Sequence, residues 1–193
     1  VNHIKSTPSS SAFWTNTSLT FAACVCPYST HSGNWTWAVA QDWCSGLGTE
    51  GQPYLIENMT FDADINKNGL LIQDSVDIYF TIQNCTFTNA LSSGYAGLKL
   101  DHTTNGTIID CNATSNNLGF SFVSSSYNVI ESNIADSNDF GIEVKLNSNF
   151  NEISFNTVQD SYRSGIFLYS NSDNNIIYNN TLSQNAVMMI STW

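Results

Sequence analysis

Asn128-Val-Ile-Glu-Ser-Asn133 is followed by Gly141-Ile-Glu-Val144, and Asn151-Glu-Ile-Ser-Phe-Asn156 by Gly165-Ile-Phe-Leu168. Asn175-Ile-Ile-Tyr-Asn-Asn180 then opens a third copy. A motif that returns with a period in the low twenties belongs to a solenoid. The test is whether columns line up outside these copies. One column holds Ile56, Ile82, Ile109, Ile130, Ile153 and Ile177. Three residues on stand Met59, Cys85, Asn112, Asn133, Asn156 and Asn180, and two further on Phe61, Phe87, Thr114, Ala135, Val158 and Leu182. A second set begins at Gly69, Gly97, Gly119, Gly141 and Gly165, with Ala186 in the last slot. Behind it come Leu70, Leu98, Phe120, Ile142, Ile166 and Val187, then Ile72, Leu100, Phe122, Val144, Leu168 and Met189.

Each copy holds two short runs alternating apolar and polar residues, the strand period. Asn, Ser, Asp and Gly separate the runs, as turns and left-handed backbone positions require. One copy cannot bury its apolar face, but copies stacked in parallel about 4.8 Å apart can. Like side chains then lie on one another, and an asparagine column satisfies itself by amide hydrogen bonds along the stack. The expected fold is all-β, a parallel β-helix of about six rungs.

The pattern Asn-x-Ile-x-x-Asn, a polar turn and Gly-Ile-x-Leu resembles the right-handed parallel β-helix repeats of the NosD-like and pectate-lyase-like superfamily. The segment Gly46-Leu-Gly-Thr-Glu-Gly-Gln-Pro-Tyr-Leu-Ile-Glu57 is similar to the first-rung lead-in of secreted archaeal β-helix proteins. The resemblance covers roughly residues 46–193. It implies the fold and leaves function open, because this scaffold carries lyases, epimerases, binding modules and surface proteins. A pectin-type lyase would need a basic group beside clustered acids that hold calcium, yet the sole arginine, Arg163, lies in a turn with no such cluster. No His or Met set matches the copper role of the NosD family.

Residues 1–45 do not follow the repeat and form the expected N-terminal arm and cap, with the β-helix at 46–193. Phe13, Trp14, Phe21, Tyr28, Trp35, Trp37 and Trp43 fit a cover over the open end of the stack. A sugar-stacking platform is the other reading. Cys24 or Cys26 with Cys44 is the expected disulfide. Cys85 and Cys111 lie one turn apart, but the columns offset them by one residue and so onto opposite faces.

Sixteen acidic residues against five basic ones give a net charge of −11, and 25 of 193 residues are asparagine. An acidic surface repels phosphate, so nucleic acid is not an expected partner. No stretch reaches the ~18 apolar residues of a membrane span. Asn16, Asn34, Asn58, Asn84, Asn105, Asn112 and Asn179 each begin an Asn-x-Ser/Thr acceptor, which points to an extracellular or cell-surface glycoprotein. Asn112 falls in the inward column, where a sugar cannot fit; the other six are the expected sites.

Chemistry-bearing groups are few. Asp64, Asn66 and Asn68 match the first half of a calcium loop without its closing acid, and calcium is the only cofactor suggested. Asp110 and Glu131 fall at equivalent places on adjacent rungs, a candidate acid pair. Asp101-His102 follows a strand and is a candidate acid–base pair. Lys99 and Glu143 share an outward column, with Lys145 beside the latter, as a charge-balanced face. The expected role is non-enzymatic: a glycosylated structural or adhesive β-helix that joins end to end through Val187, Met189 and Trp193. The alternative is a carbohydrate-active domain, either a lyase- or epimerase-like enzyme or a glycan-binding module.

Overall fold

A computed structural model describes residues 19–22 and 33–191. After β1 (Leu19–Ala22), α1 (Gly33–Ala38) and β2 (Cys44–Ser45), the chain makes six coils of three strands each. The first three coils are β3 (Tyr54–Glu57), β4 (Thr60–Asp62), β5 (Leu70–Gln73); β6 (Phe80–Gln83), β7 (Thr86–Thr88), β8 (Ala96–Asp101); and β9 (Gly106–Ile109), β10 (Asn112–Thr114), β11 (Leu118–Val123). Then follow β12 (Val129–Glu131), β13 (Ile134–Asp136), β14 (Phe140–Lys145); β15 (Glu152–Ser154), β16 (Thr157–Gln159), β17 (Ser164–Tyr169); and β18 (Ile176–Tyr178), β19 (Thr181–Ser183), β20 (Val187–Ser191). First strands of successive coils pair in parallel to form one sheet, second strands another, and third strands a third. This is the parallel solenoid that the columns require. At its start, β1 extends the third sheet beside β5, and β2 runs antiparallel to β3.

Three columns need correction in the third coil. Ile108, not Ile109, stands between Ile82 and Ile130. Ala113, not Thr114, stands between Phe87 and Ala135. Cys111 therefore replaces Asn112 in the column of Cys85 and Asn133, and the side chains of Ile109, Asn112 and Thr114 face outward. Strand side chains alternate faces, so a slip of one residue inverts all of them. In the last coil Met189 pairs with Ile166 and Val187 with Ser164, a slip of two that preserves the face.

Inside the coils the apolar columns are closed from water, with Phe61, Phe87, Phe120 and Phe122 fully buried. Each buried phenylalanine contributes about 1.5–3 kcal/mol of transfer energy. Phe61 and Phe87 stack at 5.1 Å in the second sheet. Where that column shrinks to Ala113, the facing column grows to Phe120, whose ring meets Phe87 edge-on at 6.3 Å. Bulk moves from one wall to the other, which keeps the interior filled.

At the corners, buried amides run the length of the stack. The Oδ1 of Asn133, Asn156 and Asn180 accepts the backbone N–H of Cys111, Asn133 and Asn156, each at 2.9 Å. Their Nδ2 groups donate back to the carbonyls of Ile108, Ile130 and Ile153. Cysteine performs the same task in the earlier coils. Cys111 Sγ accepts from Cys85 N–H at 3.4 Å and donates to the Ile82 carbonyl at 3.5 Å. Asn128, Asn151 and Asn175 form a second ladder. Thr103, Ser125, Ser148 and Ser172 form a hydroxyl ladder.

A further ladder holds Asn116, Asn138 and Asn185, but in the fifth coil its place is taken by Ser161. The Ser161 hydroxyl is buried without a partner. An amide there would reach the Asn138 N–H and the Ala135 carbonyl, as Asn185 reaches Ser161 N–H and the Val158 carbonyl. Ser161→Asn is expected to stabilise by about 1 kcal/mol. Thermal unfolding checks this: for a chain of this size the midpoint should rise by about 2–4 °C, and an unchanged or lower midpoint contradicts it.

At the start of the stack Trp35 of α1 is buried and stacks on Tyr54 at 4.6 Å. Its indole N–H donates to Ser75 Oγ at 3.0 Å. This tryptophan belongs to the buried core cluster, whereas Trp37 is half exposed and meets Trp43 edge-on. Phe13, Trp14 and Tyr28 lie outside the described residues.

Candidate functional site

The longest strands, β8, β11, β14 and β17, build the third sheet, and its outer face gathers the charged groups. One outer column reads Leu71, Lys99, Ser121, Glu143 and Phe167; the next reads Gln73, Asp101, Val123, Lys145 and Tyr169. Lys99, Lys145 and the adjacent Arg163 are three of the five basic residues of the chain.

Glu143 is the centre. It points outward yet is only 4% exposed, because its neighbours close over it. Lys145 Nζ lies 2.8 Å from Oε2, which also accepts from the Ser121 hydroxyl at 3.1 Å. The Tyr169 hydroxyl donates to Oε1 at 3.2 Å. A carboxylate held this way is charge-paired and hydrogen-bonded on both oxygens, the condition under which burial is tolerated. Beside it Phe140 and Phe167 stack at 5.5 Å, and Phe167 and Tyr169 at 4.5 Å. Arg163 lies over the ring of Phe140 and Lys145 over that of Tyr169. The ring faces are thus taken up by each other and by cations. A cleft of about 180 Å³ opens between Arg163, Asn117 and Ser93.

Burial, then the Glu143 carboxylate, raises the Tyr169 hydroxyl above the ordinary 10.0. Burial pulls Lys145 down, but its bond to Glu143 outweighs this and holds it above 10.5. Burial pushes the Cys44 thiol up to about 11 from 9.0. All three are raised, so their contribution is complete below the unfolded values and is lost as pH rises through the folded ones. The unfolding midpoint is therefore expected to fall from about pH 9 upward, and Tyr169→Phe to flatten the part above pH 10. A midpoint that holds level to pH 11 contradicts this.

At the edge of the same face Asp101 bridges Lys99 at 3.5 Å and the His102 ring at 2.7 Å. The His102 side chain is 59% exposed, so the Asp101–His102 pair expected from the sequence is assembled and open to solvent. His102 stands at a corner with φ of 54°.

Six coils of parallel strands, closed by amide ladders, agree with a family profile described as right handed beta helix region, which matches residues 45–193. The chain belongs to the right-handed β-helix family. No curated protein and no solved structure was found to match it.

The β-helix does not bring the other acid pair together. Asp110 occupies an exposed corner with φ of 53°, while Glu131 is a strand residue between Ile109 and Ser154. The one-residue correction in the third coil separates them. The calcium-like segment is also divided: Asp64 pairs with Lys67, Asn66 accepts from Ser92, and Asn68 accepts from the Ala96 N–H. Among the described residues no three His, Cys, Asp or Glu side chains converge on one point, and no helix is long and apolar enough to cross a membrane.

Cys85 and Cys111, expected on opposite faces, are stacked and buried, with no disulfide between them. Their mutual hydrogen bond and burial hold the Cys111 thiol well above its ordinary range. Cys44 is a buried thiol, and its expected partners Cys24 and Cys26 lie outside the described residues. Asn16, Trp193 and the side chains of Asn34 and Met189 also fall outside them, whereas Val187 is exposed.

The acceptor asparagines sort by position. Asn58, Asn84 and Asn179 are exposed and share one corner column with Asp110, Ser132 and Phe155. All six have φ between 50° and 58°, the left-handed conformation that, glycine apart, Asn and Asp adopt most readily. Asn105 is half exposed at the opposite corner of the first sheet. Asn112 faces outward, not inward as expected, but its Oδ1 is buried without a partner. The enclosure of Glu143 escaped the sequence reading; its signal was the vertical run Ser121, Glu143, Phe167 with Tyr169 beside it.

Proposed function

We propose that the β-helix is an exported, N-glycosylated and non-enzymatic rod with a structural or adhesive role at a cell surface. The observation that carries this is the single file of Asn58, Asn84 and Asn179. All three are acceptor asparagines, all are exposed, and all stand at one left-handed corner. Sugars attached there line one edge of the rod and leave its sheets free for contact. The test is glycopeptide mass spectrometry of the protein made in a glycosylating secretory host. Occupied Asn58, Asn84 and Asn179 with unmodified Asn112 are expected; three bare asparagines refute the reading. The rods are proposed to join through the last strand, where Val187 is exposed. Light scattering of the intact protein at high concentration should then show multimers, and a strict monomer counts against joining.

The carbohydrate-active alternative is favoured by one observation, the open Asp101–His102 pair beside the Glu143 network. Turnover of any polysaccharide by the parent chain, lost in His102→Ala, would establish it in place of the non-enzymatic role.

A further inference from the structure

Large rings stand exposed at two corners of the coils. The corner before the first sheet carries Asn105, Tyr127, Phe150 and Asn174 in successive coils, with φ from 56° to 61°. Tyr127 and Phe150 are 58% and 49% exposed and stack at 5.1 Å with planes 8° apart. The corner after the first sheet places Phe155, 50% exposed, one coil before Asn179. Tyr178 meets Phe155 edge-on at 5.6 Å. A left-handed conformation costs a bulky residue roughly 1–2 kcal/mol, and rings left half exposed offset that only in part through their contacts with each other. A partner lying on the free faces of these rings would offset the rest.

Their neighbours suggest what. Tyr127 is one coil from Asn105, and Phe155 one coil from Asn179; both asparagines open glycosylation acceptors. One coil is about 4.8 Å, within reach of a sugar on the asparagine amide. Phe150 occupies one side of the Tyr127 ring, and the other side is turned toward the coil of Asn105. The C–H face of a pyranose is apolar and weakly positive, and an aromatic face is negative. Asn58 and Asn84 provide the contrast, since their column neighbours are each other and Asp110. A second copy of the chain is a poor occupant of the strip between the corners, because Glu131 and Glu152 there would face their own counterparts.

We propose that the N-linked sugar of Asn105 packs on Tyr127, and that of Asn179 on Phe155, so that the rings are platforms for the chain's own glycans. This rests on the glycosylation proposed above. The test uses the full chain from a glycosylating host, with occupancy read by glycopeptide mass spectrometry. Thr107→Val removes the Asn105 acceptor without touching its corner. It is expected to lower the unfolding midpoint by about 2–4 °C, and by less than half as much when Tyr127 is already Ser. Thr181→Val with Phe155→Ser should behave alike. Thr86→Val, which removes the Asn84 sugar, should be indifferent to both ring changes. A bare Asn105 and Asn179 overturn the glycosylation reading at these sites and the platform with it. Occupied asparagines with equal shifts in both backgrounds overturn the platform alone. So does a change of oligomeric state on Tyr127→Ser with no change in the sugar's effect, which would assign the rings to a protein partner.

Discussion

Gly141→Ala is expected to lower the unfolding midpoint by about 6–12 °C, corresponding to about 3 kcal/mol for a chain of this size. A Cβ on Gly141 would lie 2.6 Å from the Gly165 carbonyl oxygen and 2.3 Å from Val158 Cγ1. Neither distance is sustainable, and the nearer backbone atom belongs to the next coil. The coil must therefore separate from its neighbour or twist. The same conflict recurs along the column: a Cβ on Gly69 meets the Gly97 carbonyl at 2.5 Å, and one on Gly119 meets that of Gly141 at 2.5 Å. The column is glycine because each coil closes on the one before it at the start of the longest sheet. Gly51→Ala is the control, since nothing lies within 4 Å of its Cβ. Urea or thermal unfolding of the two variants decides; a Gly141→Ala midpoint within a degree of the parent refutes the close approach.

The second large effect is on the amide ladder. Asn156 is buried and makes four bonds: its Oδ1 accepts from Asn133 N–H at 2.9 Å and Asn133 Nδ2 at 3.1 Å, while its Nδ2 donates to the Ile130 carbonyl and Asn180 Oδ1 at 2.9 Å. Alanine leaves the buried Asn133 N–H without its acceptor and removes one bond each from the Ile130 carbonyl, from Asn133 Nδ2, which keeps Ile108, and from Asn180 Oδ1, which keeps the Asn156 N–H. At about 1–3 kcal/mol for the unpaired N–H, with the three lost bonds added less than additively, Asn156→Ala should cost about 3–5 kcal/mol. Asn156→Cys should cost distinctly less, because Cys85 and Cys111 already accept and donate in that slot. Conversely Cys111→Asn should be tolerated. Equal losses for Ala and Cys at 156 would show that the slot requires volume and not a donor and acceptor.

That exchange of cysteine for asparagine explains where the sequence misleads. Ile108 and Ile109 are both eligible for the isoleucine column, and Asn112 resembles the asparagines beyond it. Matching like with like selects Ile109 and Asn112. The fold selects by hydrogen bonding, and the thiol of Cys111 fills the amide's place. Coils four to six use asparagine in that slot, as Asn133, Asn156 and Asn180, so the first-sheet column there was legible from the repeat. In the last coil Ala186 resembles the glycine column, but among the described residues no strand follows β20. The steric demand for glycine lapses there, and the strand slides by two. Glu143 was legible as an outward residue but not as a buried one, since its cover comes from Ser121 and Tyr169 in neighbouring coils. Asp101–His102 was legible because both members are adjacent in the chain.

The stacking itself is tested most directly by thiol labelling in the third coil. Single variants Ile108→Cys and Ile109→Cys are treated with an alkylating reagent under native conditions, and the modified peptide is quantified against the parent. With Ile108 between Ile82 and Ile130, a cysteine at 109 should label readily and one at 108 only on unfolding. The reverse order would place the coil one residue out of register with its neighbours and contradict the columns on which the rod is built.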